Sequence, residues 1–161
     1  MVRLTLFFFL AVASFGVHAE MVVPSPPQLA AKAYLLVDAA SGKVLVEHNA
    51  DMVLPPASLT KMMTAYLLAE EVQAGRLNES DMVTISENAW SQNPLFNGSS
   101  LMWIQPGMDV SIEDLQRGII ISSGNDATLA VAEHIAGSEA VFAEMMNTTA
   151  QKLGMTSTYY V

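Results

Sequence analysis

Residues 54–71 read LPPASLTKMMTAYLLAEE. After Pro55 and Pro56, Leu59, Met62, Met63, Tyr66 and Leu67 recur at i, i+3, i+4, i+7 and i+8, the spacing of one face of an α-helix. The pattern predicts a helix that buries this stripe as core and stops at Gly75. Ser58, at its mouth, has two readings. Serine is a favoured N-cap, its oxygen accepting an amide hydrogen of the first turn. Alternatively Lys61, three residues on, lies on the same side of the helix and can bring its amine beside the Ser58 hydroxyl. A lysine takes a serine's proton only where burial or a neighbouring cation favours its neutral form. The helix start would add amide hydrogens where an oxyanion develops. Serine and lysine are common residues, so the spacing alone does not choose between the two.

Upstream, AYLLVDAASGKVLVEHNAD (33–51) sets two strand-favouring runs around Ala40-Ser41-Gly42-Lys43 and predicts a β-hairpin. Downstream, residues 78–110 mix short β-favouring runs with turn residues and predict loops and small strands. Ser111 and Asp114 resemble a capping box, opening a helix from Ile112 to about Ile121. After SSGND, the stretches ATLAVAEHIAG and SEAVFAEMMNTTAQKLG predict two further helices, each closed by glycine. A hairpin followed by helices is an α+β order. A lone hairpin is marginal in water and calls for further strands or a helix across it. The chain reaches Val161 on the β-favouring residues of TSTYYV and so reads as interrupted.

The N-terminus has its own signature. Arg3, an apolar run over 4–13 broken only by Thr5, and small residues up to Ala19 predict a signal peptide over 1–19, cleaved before Glu20. The competing reading is a membrane anchor, but the run is about half the twenty or so residues that spanning needs. Proline-rich residues 20–32 read as a linker, leaving the domain in 33–161. Export would place the chain in the periplasm.

The formal net charge is −9, and loss of Arg3 with the leader leaves six Lys and Arg against sixteen Asp and Glu, a net of −10. Nucleic acid is therefore not expected as a partner. The absence of cysteine excludes thiol catalysis and cysteine-held metal. His48 and His134 stand in no metal-ligand spacing, and neither metal nor cofactor is expected.

A second feature lies in IIISSGNDATLA, where Ser122, Ser123, Gly124 and Asn125 break a helix that glycine alone could end. An ordinary interhelical turn has this composition. Equally, Ser123 can relay a proton and Asn125 can hold a substrate amide through its carbonyl and NH₂ groups.

S-x-x-K and a downstream S-x-N occur together in class A β-lactamases and penicillin-binding proteins. The form Ser123-Gly124-Asn125 resembles the D-alanyl-D-alanine carboxypeptidases, the low-molecular-mass penicillin-binding proteins. The resemblance extends through AYLLVDAASGKVLVEHNAD, PPASLTKMMTAYL, NGSSLMWIQPGMDVSIEDLQRGIIISSGNDATLAVAEHIAG and MNTTAQKLGM, most of residues 33–155. It implies the penicillin-binding/β-lactamase-like serine transpeptidase fold, and a serine peptidase that trims terminal D-alanine from peptidoglycan pentapeptides and is acylated by β-lactams. It also implies Ser58 as nucleophile, Lys61 as general base, Ser123 as proton shuttle to the leaving group and Asn125 as binder of the substrate amide. The Ser58 N–H would be half of the oxyanion hole.

The family's third motif, Lys-Thr-Gly, occurs nowhere in the 161 residues. With it would go the lysine for the substrate carboxylate, an oxyanion donor and the remaining sheet strands, as well as the C-terminal β domain and membrane-surface helix. The expectation is a truncated domain with impaired activity. A serine β-lactamase and a non-catalytic envelope-binding fragment are the alternatives.

Overall fold

The structure is a computed structural model that describes residues 25–161. The expected leader and its cleavage site lie outside the described residues. Residues 25–33 carry no helix or strand. The chain divides into two compact units after Val53.

In the first unit, β1 (Tyr34–Val37) and β2 (Val44–His48) pair antiparallel, with a register shift between Leu36 and Val37. The turn is tied by Asp38: its carboxylate accepts from the Ser41 N–H at 2.8 Å, and its carbonyl accepts from the Gly42 N–H at 2.8 Å. Gly42 supplies the left-handed φ of 70° that this turn needs. Leu35, Leu36, Val44 and Leu45 remain exposed.

The second unit is a four-helix assembly with a small sheet. A 3-10 turn, Ala57–Thr60, leads into α1 (Lys61–Gln73). The helix ends as expected, with Gly75 at φ 69° donating to the Val72 carbonyl and Arg76 to that of Glu71, both at 3.0 Å. Its buried face differs from the expected stripe: Met63 and Leu67 are buried, but Leu59 and Met62 are 68% and 71% exposed and Tyr66 is also exposed. Thr64 and Leu68 complete the inward face instead. The periodicity is helical as read, but its centre is rotated toward the side that meets the three later helices of this unit.

β3 (Met82–Thr84) and β4 (Asp109–Ser111) form the second antiparallel pair, with Val83 opposite Val110 and both buried. Ser111 caps α2 (Ile112–Ile120), its hydroxyl accepting from the Asp114 N–H at 3.1 Å. Next come α3 (Asn125–Ala136) and α4 (Glu139–Lys152), the latter capped by Ser138. Leu68, Val83, Ile112, Leu115, Ile119, Ala127 and Val131 form one buried cluster. Met63, Leu67, Ala132, Phe142, Met146 and Ala150 form a second. Gly118 lets α2 approach its neighbours: a Cβ there would overlap Met102 Sδ and lie 3.3 Å from Ala127 Cβ. The β-favouring terminal residues form no strand. Tyr160 instead exchanges two hydrogen bonds with the Asn147 side chain, at 2.7 and 2.9 Å.

Candidate active site

Pro55 and Pro56 deliver the chain into the tight turn that holds Ser58. The hydroxyl does not cap α1, as one reading had it: neither the turn nor the helix has a side-chain cap at its start. Thr60, with helical φ and ψ, stands at the N-cap position of α1, so the turn runs into the helix without a break. A 3-10 turn has three residues per revolution, so Ser58 and Lys61 are stacked along it. The Lys61 N–H donates to the Ser58 carbonyl. Ala57, just before, takes a left-handed φ of 48°, which is uncommon for any residue but glycine.

Lys61 is half-buried at the start of α1. Its ammonium donates to Asn125 Oδ1, bridging α1 and α3 across 64 residues of sequence. Burial pushes its pKa below the usual lysine value, favouring the neutral amine that a base requires. Among the described residues, no hydrogen bond involves the Ser58 hydroxyl.

Asn125 belongs to a helix rather than to the break ahead of it: it is the first residue of α3, with Gly124 at the N-cap. Its N–H donates to the Ser100 carbonyl at 2.9 Å. Ser123 has φ 54°, and its Oγ is the one buried side-chain polar atom among the described residues without a hydrogen-bond partner. Strain at a non-glycine residue together with an unpaired buried hydroxyl is typical of functional positions.

Ser58, Lys61 and Asn125 line one cleft of about 640 Å³ within the second unit, with Phe96, Phe142 and Tyr160 among its apolar walls. Ser123 is not among the lining residues. The walls are largely apolar, with the polar groups of Ser58, Lys61 and Asn125 set among them. Among the described residues, no group of His, Asp or Glu is gathered so as to hold a metal ion. His48, remote in sequence from these residues, stacks on Tyr34 with ring centroids 5.4 Å apart.

One residue was not singled out from the sequence. Asp126 is wholly buried, and its carboxylate accepts from the N–H groups of Met102, Trp103 and Ile104 at 2.8, 2.8 and 3.2 Å. In the sequence it passes for an ordinary first-turn acid of α3, since its partners lie 22 to 24 residues upstream.

Comparison with known proteins identifies relatives of the chain. The family model for D-alanyl-D-alanine carboxypeptidase matches residues 20–161. The D-alanyl-D-alanine carboxypeptidase DacA of Escherichia coli K12 is 46% identical over 144 residues, covering 89% of this chain and 36% of the relative. Penicillin binding protein 5 from Haemophilus influenzae superposes with a TM-score of 0.80 at 44% identity, over 86% of this chain and 40% of that one. Penicillin-binding protein D2 of Listeria monocytogenes, solved in an ampicillin-bound form, superposes with a TM-score of 0.65 at 30% identity, over 81% of this chain and 50% of that one. The chain thus spans between a third and a half of each of these three relatives. Its α+β arrangement is the N-terminal part of the penicillin-binding, serine DD-peptidase fold. On both the sequence match and the shared fold, the chain belongs to the D-alanyl-D-alanine carboxypeptidase family.

Proposed function

We propose that these residues form the acylation half of a serine D-Ala-D-Ala carboxypeptidase acting on peptidoglycan pentapeptides, with Ser58 as nucleophile. The observation that carries the reading is the convergence of Ser58, Lys61 and Asn125 on one cleft, with the Lys61 pKa depressed by burial. Neutral Lys61 takes the hydroxyl proton as Ser58 Oγ attacks the carbonyl of the penultimate D-alanine. The Ser58 N–H stabilises the oxyanion, Asn125 holds the peptide amide, and the Ser123 hydroxyl, once turned toward the cleft, takes the proton that Lys61 has accepted and relays it to the departing D-alanine amine. Water then releases the acyl group. A β-lactam enters by the same attack, its ring opening on Ser58. With Oδ1 on Lys61, the Asn125 NH₂ is left to donate to the carbonyl of the substrate amide.

Residues 1–19 serve in this reading as the export signal, with the mature chain acting in the periplasm on the wall. The sequence holds no Lys-Thr-Gly, so the cation for the substrate carboxylate and the second oxyanion donor are not among these residues. Loss of one such donor costs about 3–4 kcal/mol. Acylation by these residues alone is therefore expected to be slow but measurable.

Intact mass after incubation with benzylpenicillin tests the reading. One penicilloyl group on the wild-type chain and none on Ser58→Ala is expected, and equal labelling of both would remove Ser58 from its role. A long-lived adduct fits the carboxypeptidase, whereas rapid turnover of a chromogenic penicillin would make the site that of a serine β-lactamase.

A further inference from the structure

We infer that Asp126 is a positioning residue, whose buried carboxylate ties residues 102–104 to the start of α3 and thereby holds the Asn125 amide against Lys61. The inference rests on the reading of Ser58, Lys61 and Asn125 given above. Four backbone N–H groups converge on this carboxylate, those of Met102, Trp103, Ile104 and, at 2.9 Å, Ala127. A buried charge is costly unless its lone pairs are all engaged, and here backbone amides engage them.

Independent features converge on the same few ångströms. Asn125 itself donates to Ser100, so the segment held by Asp126 is also the segment that fixes the Asn125 backbone. Gly124 has an ordinary φ of −64°, so it is needed for space: a Cβ there would lie 2.9 Å from Asp126 Oδ1 and 3.0 Å from the Met102 nitrogen. Trp103 and Ser123 both occupy the left-handed region, at φ 69° and 54°. Such conformations persist where surrounding bonds over-determine them, and the Asp126 carboxylate binds the Trp103 N–H directly. A carboxylate placed only to start α3 would need none of the bonds to 102–104.

The test compares wild type, Asp126→Asn, Asn125→Ala and the double variant in the full chain. It uses two readouts: the rate of benzylpenicillin acylation and the NMR titration of the Lys61 side-chain nitrogen. Lys61, Glu139 and Tyr160 are the titratable side chains lining the cleft. Asn125 Oδ1 accepts from the ammonium and favours it, so losing that acceptor moves the Lys61 titration to lower pH. Asp126→Asn is expected to slow acylation about 10- to 100-fold, the usual consequence of a misplaced group. It should also shift Lys61 in the same direction as Asn125→Ala. In the Asn125→Ala background it should change either readout less than about twofold, because the two act through one contact. Multiplicative effects, or an unmoved Lys61 titration, would overturn the inference. If the wild type takes up no penicillin, the proposed reaction fails, and the Lys61 titration alone still decides the role of Asp126. If Asp126→Asn does not melt cooperatively, Asp126→Ser replaces it, keeping a hydroxyl acceptor for the Ala127 N–H. A folded serine variant with a wild-type Lys61 titration would equally overturn the proposal.

Discussion

In the proposed reaction Lys61 can accept a proton only while neutral, and burial lowers the pH at which it becomes so. The acylation rate should therefore rise with pH and level off above the folded-state pKa, below the usual lysine range. Lys61→Arg, always protonated, should lose at least about 100-fold, as measured by penicilloyl mass against time. The same shift enters stability with a definite sign. Between the lowered folded value and the ordinary one, the unfolded chain binds more protons, so stability rises with pH across that window. The proximity of Ser58 and Lys61 was legible in the sequence because it is local, three residues along one turn. The Lys61 contact to Asn125 was not, since it crosses 64 residues and depends on how α1 and α3 meet. Asp126 was invisible for the same reason: its role lies in backbone amides, which carry no sequence identity.

Local chemistry made most elements readable in advance. The hairpin turn at Gly42, the Ser111 cap and the glycine ends at Gly75 and Gly137 all act within a few residues of themselves. The buried face of α1 was partly misread, because periodicity gives the angular spread of an apolar stripe but not the direction from which neighbours arrive. Leu59, Met62 and Tyr66 stayed outside while Thr64 went in. The α3 start gives the sharpest element-scale prediction. Gly124→Ala would press a methyl on the Met102 amide nitrogen, a backbone atom with little freedom to yield. A loss of about 1–3 kcal/mol is expected in a denaturant melt, the usual cost of overpacking. Acylation should slow as well, since the Asn125 backbone shifts with its neighbour.

At the scale of the molecule, two buried clusters share the second unit, one around Leu68 and Val131 and one around Phe142 and Met146. The last residues are attached to the latter through Asn147 alone among polar side chains of the described residues. Asn147→Ala removes both bonds to Tyr160 and should cost about 1–3 kcal/mol. It should also speed hydrogen exchange over 155–161 ahead of the rest of the chain, and unchanged exchange there would show that apolar contacts suffice. The sequence order predicted helices after a hairpin but not this attachment, because TSTYYV has strand composition and lies in no strand. The Asp126 bonds bear on how the whole chain holds together under changing chemistry. They close a loop of 24 residues between Met102 and Asp126, enclosing β4 and α2, in a chain without a cysteine. Unlike a disulfide, these bonds break on unfolding and place no restriction on the unfolded chain, so they tie the loop in the folded state only. The link therefore needs no oxidant to form, no isomerase to correct and no reductant to open, and its integrity is independent of the redox state of the surroundings.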